Sequence, residues 1–409
     1  MKALAGLGFA LVMGGCSAFT PPRTPPSPAE GRVLILISID GFRPDYLNRP
    51  AAVRLQELAA SGVRAEQLIP AFPTKTFPNH YTIATGLYPE HHGIVANSMT
   101  DPDIGRFTIT DTVSNRDPRW WGGEPIWLTA VKQGRRAATM FWVGSEGAIQ
   151  GIRPNYWRVF DPRLPSAARV DQVLEWLALP PGQAPDLVTL YFNRVDLVGH
   201  RRGPESAAVD SAIGETDAAI GRLIDSLKSR GQLQRTNLIV VSDHGMTAIS
   251  PDRVIYLDDY VPIEPGEIAD LAPATAIDPG PGRTEMIFRG LVNAHPKLSV
   301  YRRQEIPARF QFQSNRRIAP ILALADDGWT ISTRQRWRVS PMTDLGNHGY
   351  DNALASMAAT FIASGPAFRT GTVVPPFQSI HVYELMAHLM GLRPAANDGA
   401  LDSVRAVLR

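Results

Sequence analysis

Four short runs of apolar, largely β-branched residues limit the folds open to this 409-residue chain. The runs lie at residues 33–39, 187–191, 238–242 and 360–363. None shows the apolar–polar alternation of a strand with one exposed face, so each is typical of a strand that is buried on both faces. The stretches between them have helical spacing; Ile213, Ile220 and Leu227, for example, share one face of a predicted helix. The pattern predicts an α/β fold with a mostly parallel central sheet and helices on both faces.

Residues 250–345 interrupt this pattern with prolines, charges and shorter apolar runs. They predict an inserted, smaller α+β lobe. No second buried pattern of comparable length is visible, so residues 31–409 are expected to form a single domain that contains this insertion.

Within the insertion, Arg334, Arg336 and Arg338 alternate with Gln335 and Trp337. Two-residue periodicity places the three arginines on one face of a predicted strand, and a strip that binds nucleic acid is the alternative. The chain has 41 Lys and Arg against 39 Asp and Glu, a net charge of +2, so its overall charge does not favour nucleic acid. We therefore expect a solvated strand face and no sequence-specific nucleic-acid partner.

The first thirty residues have the pattern of an export signal followed by a tether. A positively charged start precedes an apolar stretch too short for a mature membrane span, and small residues precede Cys16, the single cysteine. We expect residues 1–15 to be a signal peptide and Cys16 to be acylated; cleavage after Ala18 without acylation is the alternative. The proline-rich residues 16–30 would be the tether. The expected location is the periplasm or outer membrane of a bacterium, or secretion, with the lipid anchor as the only membrane contact.

Aspartates and histidines collect where the predicted strands end. They are Asp40, Asp196, His200, Asp243, His244 and His348. Taken singly, they have ordinary explanations, because Asp-Gly after a strand is a common turn and an Asp and a His four residues apart form a surface ion pair. In an open α/β sheet, however, side chains beyond the carboxyl ends of the strands meet at one edge. Together they offer enough ligands for two divalent cations, and mixed carboxylate and imidazole ligands suit zinc best.

Thr76 is the candidate nucleophile. It precedes Pro78 and a helical stretch that ends at Gly86, so it would stand at a helix N-terminus, where backbone amides face an anion. A threonine hydroxyl is a weak nucleophile near neutral pH, and coordination to a divalent cation would ionise it. A hydroxyl that only caps the helix is the alternative explanation.

Six motifs, in order along the chain, resemble the nucleotide pyrophosphatase/phosphodiesterase family of the alkaline phosphatase superfamily. The block FPTKTFPNHYTIATGLYPEHHGIVAN at residues 72–97 carries most of the resemblance. The other motifs lie at residues 36–47, 122–130, 191–204, 240–246 and 347–352. The resemblance implies an alkaline phosphatase-like fold and a bacterial member of the family.

The resemblance also implies an activity and the residues that carry it. The enzyme would be a zinc-dependent phosphodiesterase that cleaves nucleotide phosphodiester or pyrophosphate bonds and releases nucleoside 5′-monophosphate. Thr76 would form a covalent intermediate with the substrate phosphorus, and Asn97 would donate a hydrogen bond to a nonbridging phosphate oxygen. Two zinc ions per chain would be bound, one by Asp40, Thr76, Asp243 and His244, the other by Asp196, His200 and His348. The side chains implied to contact substrate are Phe77, Asn97, Phe160, Tyr191 and Lys75.

Phe160 stands where relatives have a tyrosine, so it keeps an aromatic face for stacking and lacks the hydroxyl. Lys75 would assist with phosphate charge, and a solvent-facing lysine is the alternative. The remaining histidines, His80 among them, are expected to be structural or at the surface.

Four other functions compete with this one. A sulfatase of the same fold needs a Cys or Ser in a Pro- and Arg-containing motif, whereas Thr76 is followed by Phe-Pro-Asn and Cys16 lies outside the predicted fold. A phosphomonoesterase commonly has an arginine near its nucleophile, and none follows Thr76 closely. A lipid or choline phosphodiesterase of the same family would differ only in the aromatic pocket residues, so it stays open. The complete set of ligand positions disfavours a surface lipoprotein without catalytic activity.

Overall fold

The computed structural model of the protein describes residues 33–341 and 343–409, together with Met1. Apart from Met1, the predicted signal peptide (1–15), Cys16 and the predicted tether (16–30) lie outside the described residues, so they stay predictions. Among the helices of the described ranges, none combines the length and the apolar character that a bilayer crossing needs.

Strands and helices alternate through most of the chain. The strands are β1 Val33–Ile39, β2 Val63–Ala65, β3 Leu68–Ile69, β4 Ser98–Asp101, β5 Gly105–Thr108, β6 Ala137–Met140, β7 Tyr156–Trp157, β8 Leu187–Phe192, β9 Thr236–Val241, β10 Thr247–Ala248, β11 Val254–Tyr256, β12 Ile268–Asp270, β13 Ala274–Ile277, β14 Leu298–Arg302, β15 Ile321–Ala325, β16 Thr330–Ser332, β17 Gly346–Asn347, β18 Phe361–Ser364, β19 Thr372–Val374 and β20 Phe377–Gln378. The helices are α1 Val53–Ser61, α2 Thr76–Thr85, α3 Pro89–His92, α4 Thr112–Arg116, α5 Ile126–Lys132, α6 Ser166–Leu177, α7 Arg194–Arg202, α8 Ala207–Ser229, α9 Thr284–Leu291, α10 Arg334–Val339 and α11 His381–Met390.

An eight-stranded sheet, in the order β19-β2-β18-β9-β1-β8-β6-β7, forms the centre of the fold. β1 lies between β8 and β9 and runs parallel to both, with Leu34 opposite Leu187 on β8. Along β1, Leu34 and Leu36 pack into one hydrophobic core, and Ile35 and Ile37 pack into a second core on the opposite face. Because both faces are covered, the sequence has no polar alternation here. The predicted α/β fold is confirmed.

The last of the four apolar runs is the antiparallel strand of a sheet that is otherwise parallel, in agreement with the predicted mostly parallel sheet. β18 is antiparallel to both β9 and β2, with Phe361 opposite Val241 at the end of β9. The sheet is therefore mixed. A run that is apolar on both faces reports burial and carries no information on strand direction. The direction matters for the site, because the segment before β18 lies at the edge where β1 and β9 end.

Residues 268–325 contain a second, four-stranded antiparallel sheet in the order β12-β13-β15-β14. Helix α9 contributes to a separate hydrophobic cluster that includes Ile277, Ile287 and Ile321. This α+β lobe lies within the predicted insertion at residues 250–345, and it has a core of its own.

The arginine-rich segment of the lobe is helical, so the predicted strand there is wrong. Residues 334–339 form α10, and the Thr333 hydroxyl accepts a hydrogen bond from the backbone N–H of Arg336 at 3.1 Å. This N-cap stabilises a helical turn that the alternating pattern did not reveal. Arg334 forms an exposed ion pair with Asp259 at 2.8 Å, and the Trp337 ring lies edge-on to Tyr256 at 5.7 Å.

Asp101, at the end of β4, ties the β4–β5 hairpin to the segment that precedes β15. Its side chain is fully buried and accepts from Arg317 at 2.8 Å and from Arg316 at 2.7 Å. Burial alone would raise the pKa of this carboxyl group. The hydrogen bonds from Arg317, the backbone N–H of Asp103 and Arg316 outweigh burial and lower the pKa from 3.8 to about 2.

We expect Asp101→Asn to lower the free energy of unfolding by about 2 kcal/mol at pH 7, because a pKa lowered by folding stabilises the charged folded state. This stabilisation is present above pH 4 and is lost as the pH falls toward the folded-state pKa of about 2. Urea unfolding at several pH values should therefore show the two proteins converging at low pH. Asp103→Asn is the matched control, because Asp103 pairs with Arg316 but is 73% exposed, and we expect it to cost less than about 1 kcal/mol. A constant difference across the pH range would contradict this account.

Candidate active site

Thr76 is the first residue of α2. The helix begins after Lys75, whose backbone is extended, has Pro78 in its first turn, and ends at Gly86 in the left-handed conformation (φ 69°). The predicted helix start is confirmed. Because Lys75 occupies the N-cap position, the Thr76 hydroxyl is not the N-cap. Its Oγ1 lies 3.2 Å from Nε2 of His244 instead.

The carboxyl ends of three adjacent parallel strands bring the aspartates together. Asp40 follows β1, Asp243 comes two residues after β9, and Asp196 lies in the first turn of α7, just after β8. Gly41 permits this approach. Its φ is 66°, and a Cβ on Gly41 would lie 3.1 Å from the Cβ of Asp196. The backbone N–H of Gly41 also donates to Asp243 Oδ1 at 3.2 Å.

The first ligand group surrounds Nε2 of His244. This nitrogen lies 3.0 Å from Oδ2 of Asp243, 3.3 Å from Oδ1 of Asp40 and 3.2 Å from Oγ1 of Thr76. These are the four residues assigned by resemblance to one zinc ion. The structure brings their donor atoms to one point.

The second ligand group surrounds Asp196. Its Oδ1 lies 3.4 Å from Nε2 of His200, one turn further along α7, and 3.6 Å from Nε2 of His348, which comes from the segment before β18. The two groups adjoin, because the rings of His244 and His348 stack with centroids 3.6 Å apart. Asp196, His244 and His348 also have donor atoms close enough to share one ion.

The three histidines are oriented in the same way. In each ring Nδ1 lies near a backbone carbonyl: Gly245 for His244 (2.8 Å), Gly346 for His200 (2.9 Å) and Thr74 for His348 (2.8 Å). A carbonyl oxygen only accepts, so Nδ1 carries a proton and Nε2 is the ring nitrogen that faces the carboxylates. This arrangement is typical of metal-binding histidines.

Buried carboxylate oxygens without a donor indicate that the site fits a cation. Oδ1 of Asp40, Oδ1 of Asp196 and Oδ2 of Asp243 are buried and accept no hydrogen bond from the described residues. Burial, with the charges of Asp243 and Asp196, raises the pKa of Asp40 well above its usual range. Burial has the same effect on Asp243, but His244 and His80 outweigh it and hold the pKa of Asp243 well below its usual range. Such close carboxylates are stabilised by bound positive charge, and divalent metal ions supply it.

An apolar pocket of about 340 Å³ is lined by Phe77, the residue that follows Thr76 in the chain. Its lining includes Phe77, Phe160 and Tyr191, the three aromatic residues assigned to substrate by resemblance, together with Phe141 and Trp142. The hydroxyl of Tyr191 also donates to Asp40 Oδ2 at 2.5 Å, so this residue joins the pocket to the first ligand group. Asn97 Oδ1 accepts from the backbone N–H of Phe77 at 3.1 Å, which leaves its NH₂ group for a ligand.

The sequence model of the type I phosphodiesterase / nucleotide pyrophosphatase family matches residues 34–351, most of the chain. The chain belongs to this family.

Named relatives and solved structures agree with this membership. The chain is 38% identical to bovine bis(5′-adenosyl)-triphosphatase ENPP4 over 100% of its own length and 87% of that protein. It is 37% identical to rat ectonucleotide pyrophosphatase/phosphodiesterase family member 3 over 97% of its own length, but it spans only 46% of that longer protein. Its fold is similar to murine ectonucleotide pyrophosphatase/phosphodiesterase 5, an inactive variant of which was solved with AMP. The TM-score is 0.87 and the identity 37%, covering 93% of this chain and 100% of that one.

In this family member, Lys75 does not line the aromatic pocket. Its side chain is 3% exposed, forms an ion pair with Asp270 of the lobe, and donates to the carbonyl oxygen of Ala274 at 3.1 Å. The alternative prediction that Lys75 faces solvent is therefore wrong. The ion pair with Asp270 neutralises the positive charge of Lys75 that was expected to assist the substrate phosphate. Asp270 is distant in sequence, so no local pattern could have revealed this partner.

His80, which the sequence analysis expected to be structural or at the surface, lies at this site. It lies one turn after Thr76 on α2, fully buried, with Nδ1 2.9 Å from the Thr76 carbonyl and 3.2 Å from Oδ2 of Asp243. Its Nε2 lies 2.8 Å from the Ser38 hydroxyl. Both ring nitrogens have hydrogen-bond partners, so His80 supports the first ligand group from behind. The i to i+4 spacing from the nucleophile was the available signal.

Proposed function

We propose that the protein is a zinc-dependent phosphodiesterase that hydrolyses phosphodiester or pyrophosphate bonds of nucleotides and releases nucleoside 5′-monophosphate. One observation carries the proposal. A hydroxyl at a helix N-terminus stands among buried carboxylate oxygens that lack donors, and the next residue in the chain, Phe77, lines an aromatic pocket of nucleoside size.

The two ligand groups are the proposed metal-binding residues. Asp40, Thr76, Asp243 and His244 would hold one zinc ion, and Asp196, His200 and His348 would hold the other. Bound zinc would lower the pKa of the Thr76 hydroxyl and offset negative charge on the attacking and leaving oxygens. The mixture of carboxylate and imidazole donors supports zinc over magnesium or calcium, which prefer oxygen ligands only.

Thr76 is the proposed nucleophile. The Thr76 hydroxyl gives its proton to solvent, Oγ1 forms a bond to the substrate phosphorus while the bond from phosphorus to the leaving oxygen breaks, and the leaving oxygen takes a proton from solvent. Water then attacks the phosphorus and loses a proton to solvent, the bond from phosphorus to Oγ1 breaks, Oγ1 takes up a proton, and nucleoside 5′-monophosphate leaves. The N-terminal backbone of α2 faces the phosphate charge, and the Asn97 NH₂ group donates to a nonbridging oxygen.

The aromatic pocket is the proposed binding site for the nucleoside. Phe77, Phe160 and Tyr191 give it faces on which a base can stack, and its wall is mostly apolar. The murine neighbour was solved with AMP, which supports a nucleotide as ligand.

A comparison of three aryl esters tests the proposed function. We expect the chain with added zinc to hydrolyse the nitrophenyl ester of thymidine 5′-monophosphate at least about tenfold faster, by kcat/KM, than nitrophenyl phosphate or nitrophenylphosphorylcholine. The reason is that only the first ester fills the aromatic pocket. A preference for the choline ester would move the substrate to lipid headgroups, and a preference for the monoester would contradict the role of Asn97.

Export is a separate proposal. The sequence pattern of residues 1–30 supports a bacterial lipoprotein anchored through Cys16, which would place the enzyme where it meets nucleotides outside the cytoplasm.

A further inference from the structure

The aromatic pocket has two walls that come from separate segments of the chain. One wall is α4, whose first turn is capped by Asp111 and which follows the β4–β5 hairpin. The other wall is residues 158–162, which carry Phe160 and follow the short strand β7. Residues 158–161 belong to no helix or strand, and Phe160 is 40% exposed. Its backbone therefore depends on side-chain contacts for its position.

Glu146 lies between the two walls and contacts both. Its Oε1 accepts from the backbone N–H of Phe160 at 2.9 Å, and its Oε2 accepts from Nε of Arg116, the last residue of α4, at 3.0 Å. The side chain of Glu146 is 17% exposed, and its negative charge strengthens both hydrogen bonds. One carboxylate thus links the two sides of the pocket.

The ring of Phe160 is held from other directions. It lies edge-on to Phe141 with centroids 5.3 Å apart, and 5.9 Å from Tyr191. These contacts fix the ring relative to the floor of the pocket. Neither contact involves α4, whereas Glu146 contacts both α4 and the Phe160 backbone.

We propose that Glu146 is a positioning residue that sets the spacing of the pocket walls and thereby the affinity for the nucleoside end of the substrate. This inference rests on the proposed function. Without the carboxylate, the Phe160 segment must be ordered each time a nucleoside binds, and that cost reduces affinity. Both carboxylate oxygens of Glu146 are already engaged by the walls, so its loss should affect binding of the nucleoside and leave the bond-breaking step at Thr76 unchanged.

The test compares Glu146→Ala with the unaltered chain on two diesters. We expect the KM for the nitrophenyl ester of thymidine 5′-monophosphate to rise about tenfold with kcat within about twofold, the size expected for lost hydrogen bonds to a charged group. Hydrolysis of methyl nitrophenyl phosphate, which has no nucleoside, should not change. Calorimetric titration with AMP should show about tenfold weaker binding. Glu146→Gln keeps an acceptor for the Phe160 N–H but places an NH₂ group against the Arg116 guanidinium, so it should recover only part of the affinity.

Glu267→Ala is the matched control. Glu267 also accepts from an arginine Nε (Arg283, 2.6 Å) and from a backbone N–H, but it lies in the lobe. It should alter neither KM nor AMP affinity. Equal losses with both diesters, or unchanged KM and AMP affinity, would overturn the role of Glu146. If the unaltered chain hydrolysed no nucleotide ester, the proposed function would fail, and the AMP titration would then decide the role of Glu146 by itself.

Discussion

Replacing Thr76 with alanine is expected to reduce the rate of nucleotide diester hydrolysis by about 10⁴-fold or more, because the covalent route through its hydroxyl is lost. The fold should not change. Thr76 is the first residue of α2, where alanine is well tolerated, and among the described residues its Oγ1 is within hydrogen-bond distance of His244 alone. Steady-state kinetics with added zinc, together with far-UV circular dichroism, would measure both expectations.

Two further variants make this result specific. Thr85→Ala removes a buried hydroxyl at the other end of the same helix, where Oγ1 donates to the Tyr81 carbonyl at 2.7 Å, and we expect near-normal turnover. Thr76→Ser keeps a hydroxyl and should retain measurable activity. A Thr76→Ala protein that still turns over at a substantial fraction of the normal rate would show that another group attacks phosphorus.

The sequence locates the candidate ligands by the ends of the predicted strands, without the order of those strands in the sheet. Asp40 and Asp243 follow apolar runs, and the end of such a run can be located without knowing strand order or direction. The position of His348 was harder to predict. His348 lies before β18, and it reaches the edge of the sheet where β1 and β9 end because β18 is antiparallel to β9. Burial of a strand on both faces does not encode this direction.

Contacts between distant segments account for the other differences. Lys75 looked available for phosphate because its partner Asp270 lies in the inserted lobe, far along the chain. Residues 334–339 form a helix with an N-cap at Thr333 although the arginines alternate, because two-residue alternation over a short segment is a weak signal for a strand. Glu146 carries no motif at all, and its role follows only from the Phe160 and Arg116 donors on either side of it.

Removing metal should have the second large effect. We expect a chelator to reduce diester hydrolysis by at least about 10³-fold and added zinc to restore it, because the charge on the attacking and leaving oxygens would no longer be offset.

Elemental analysis of the active protein should give two zinc ions per chain. His348→Ala should lower this number to about one, whereas His388→Ala, which changes an exposed histidine on α11, should leave it at two. Full activity in metal-free protein would contradict the two-metal proposal.

The same metal ions should also stabilise the fold, and the effect tests the site without using activity. Oδ1 of Asp40, Oδ1 of Asp196 and Oδ2 of Asp243 have no donor among the described residues, so in metal-free protein their charges repel one another in a buried place. Zinc that binds only the folded chain should raise the free energy of unfolding by about 4 kcal/mol for each site at a thousandfold excess over Kd. Thermal unfolding with and without zinc would measure this. Magnesium at equal concentration should stabilise less, because imidazole nitrogens are poor ligands for it, and an equal shift with magnesium would mean that the carboxylates alone form the site.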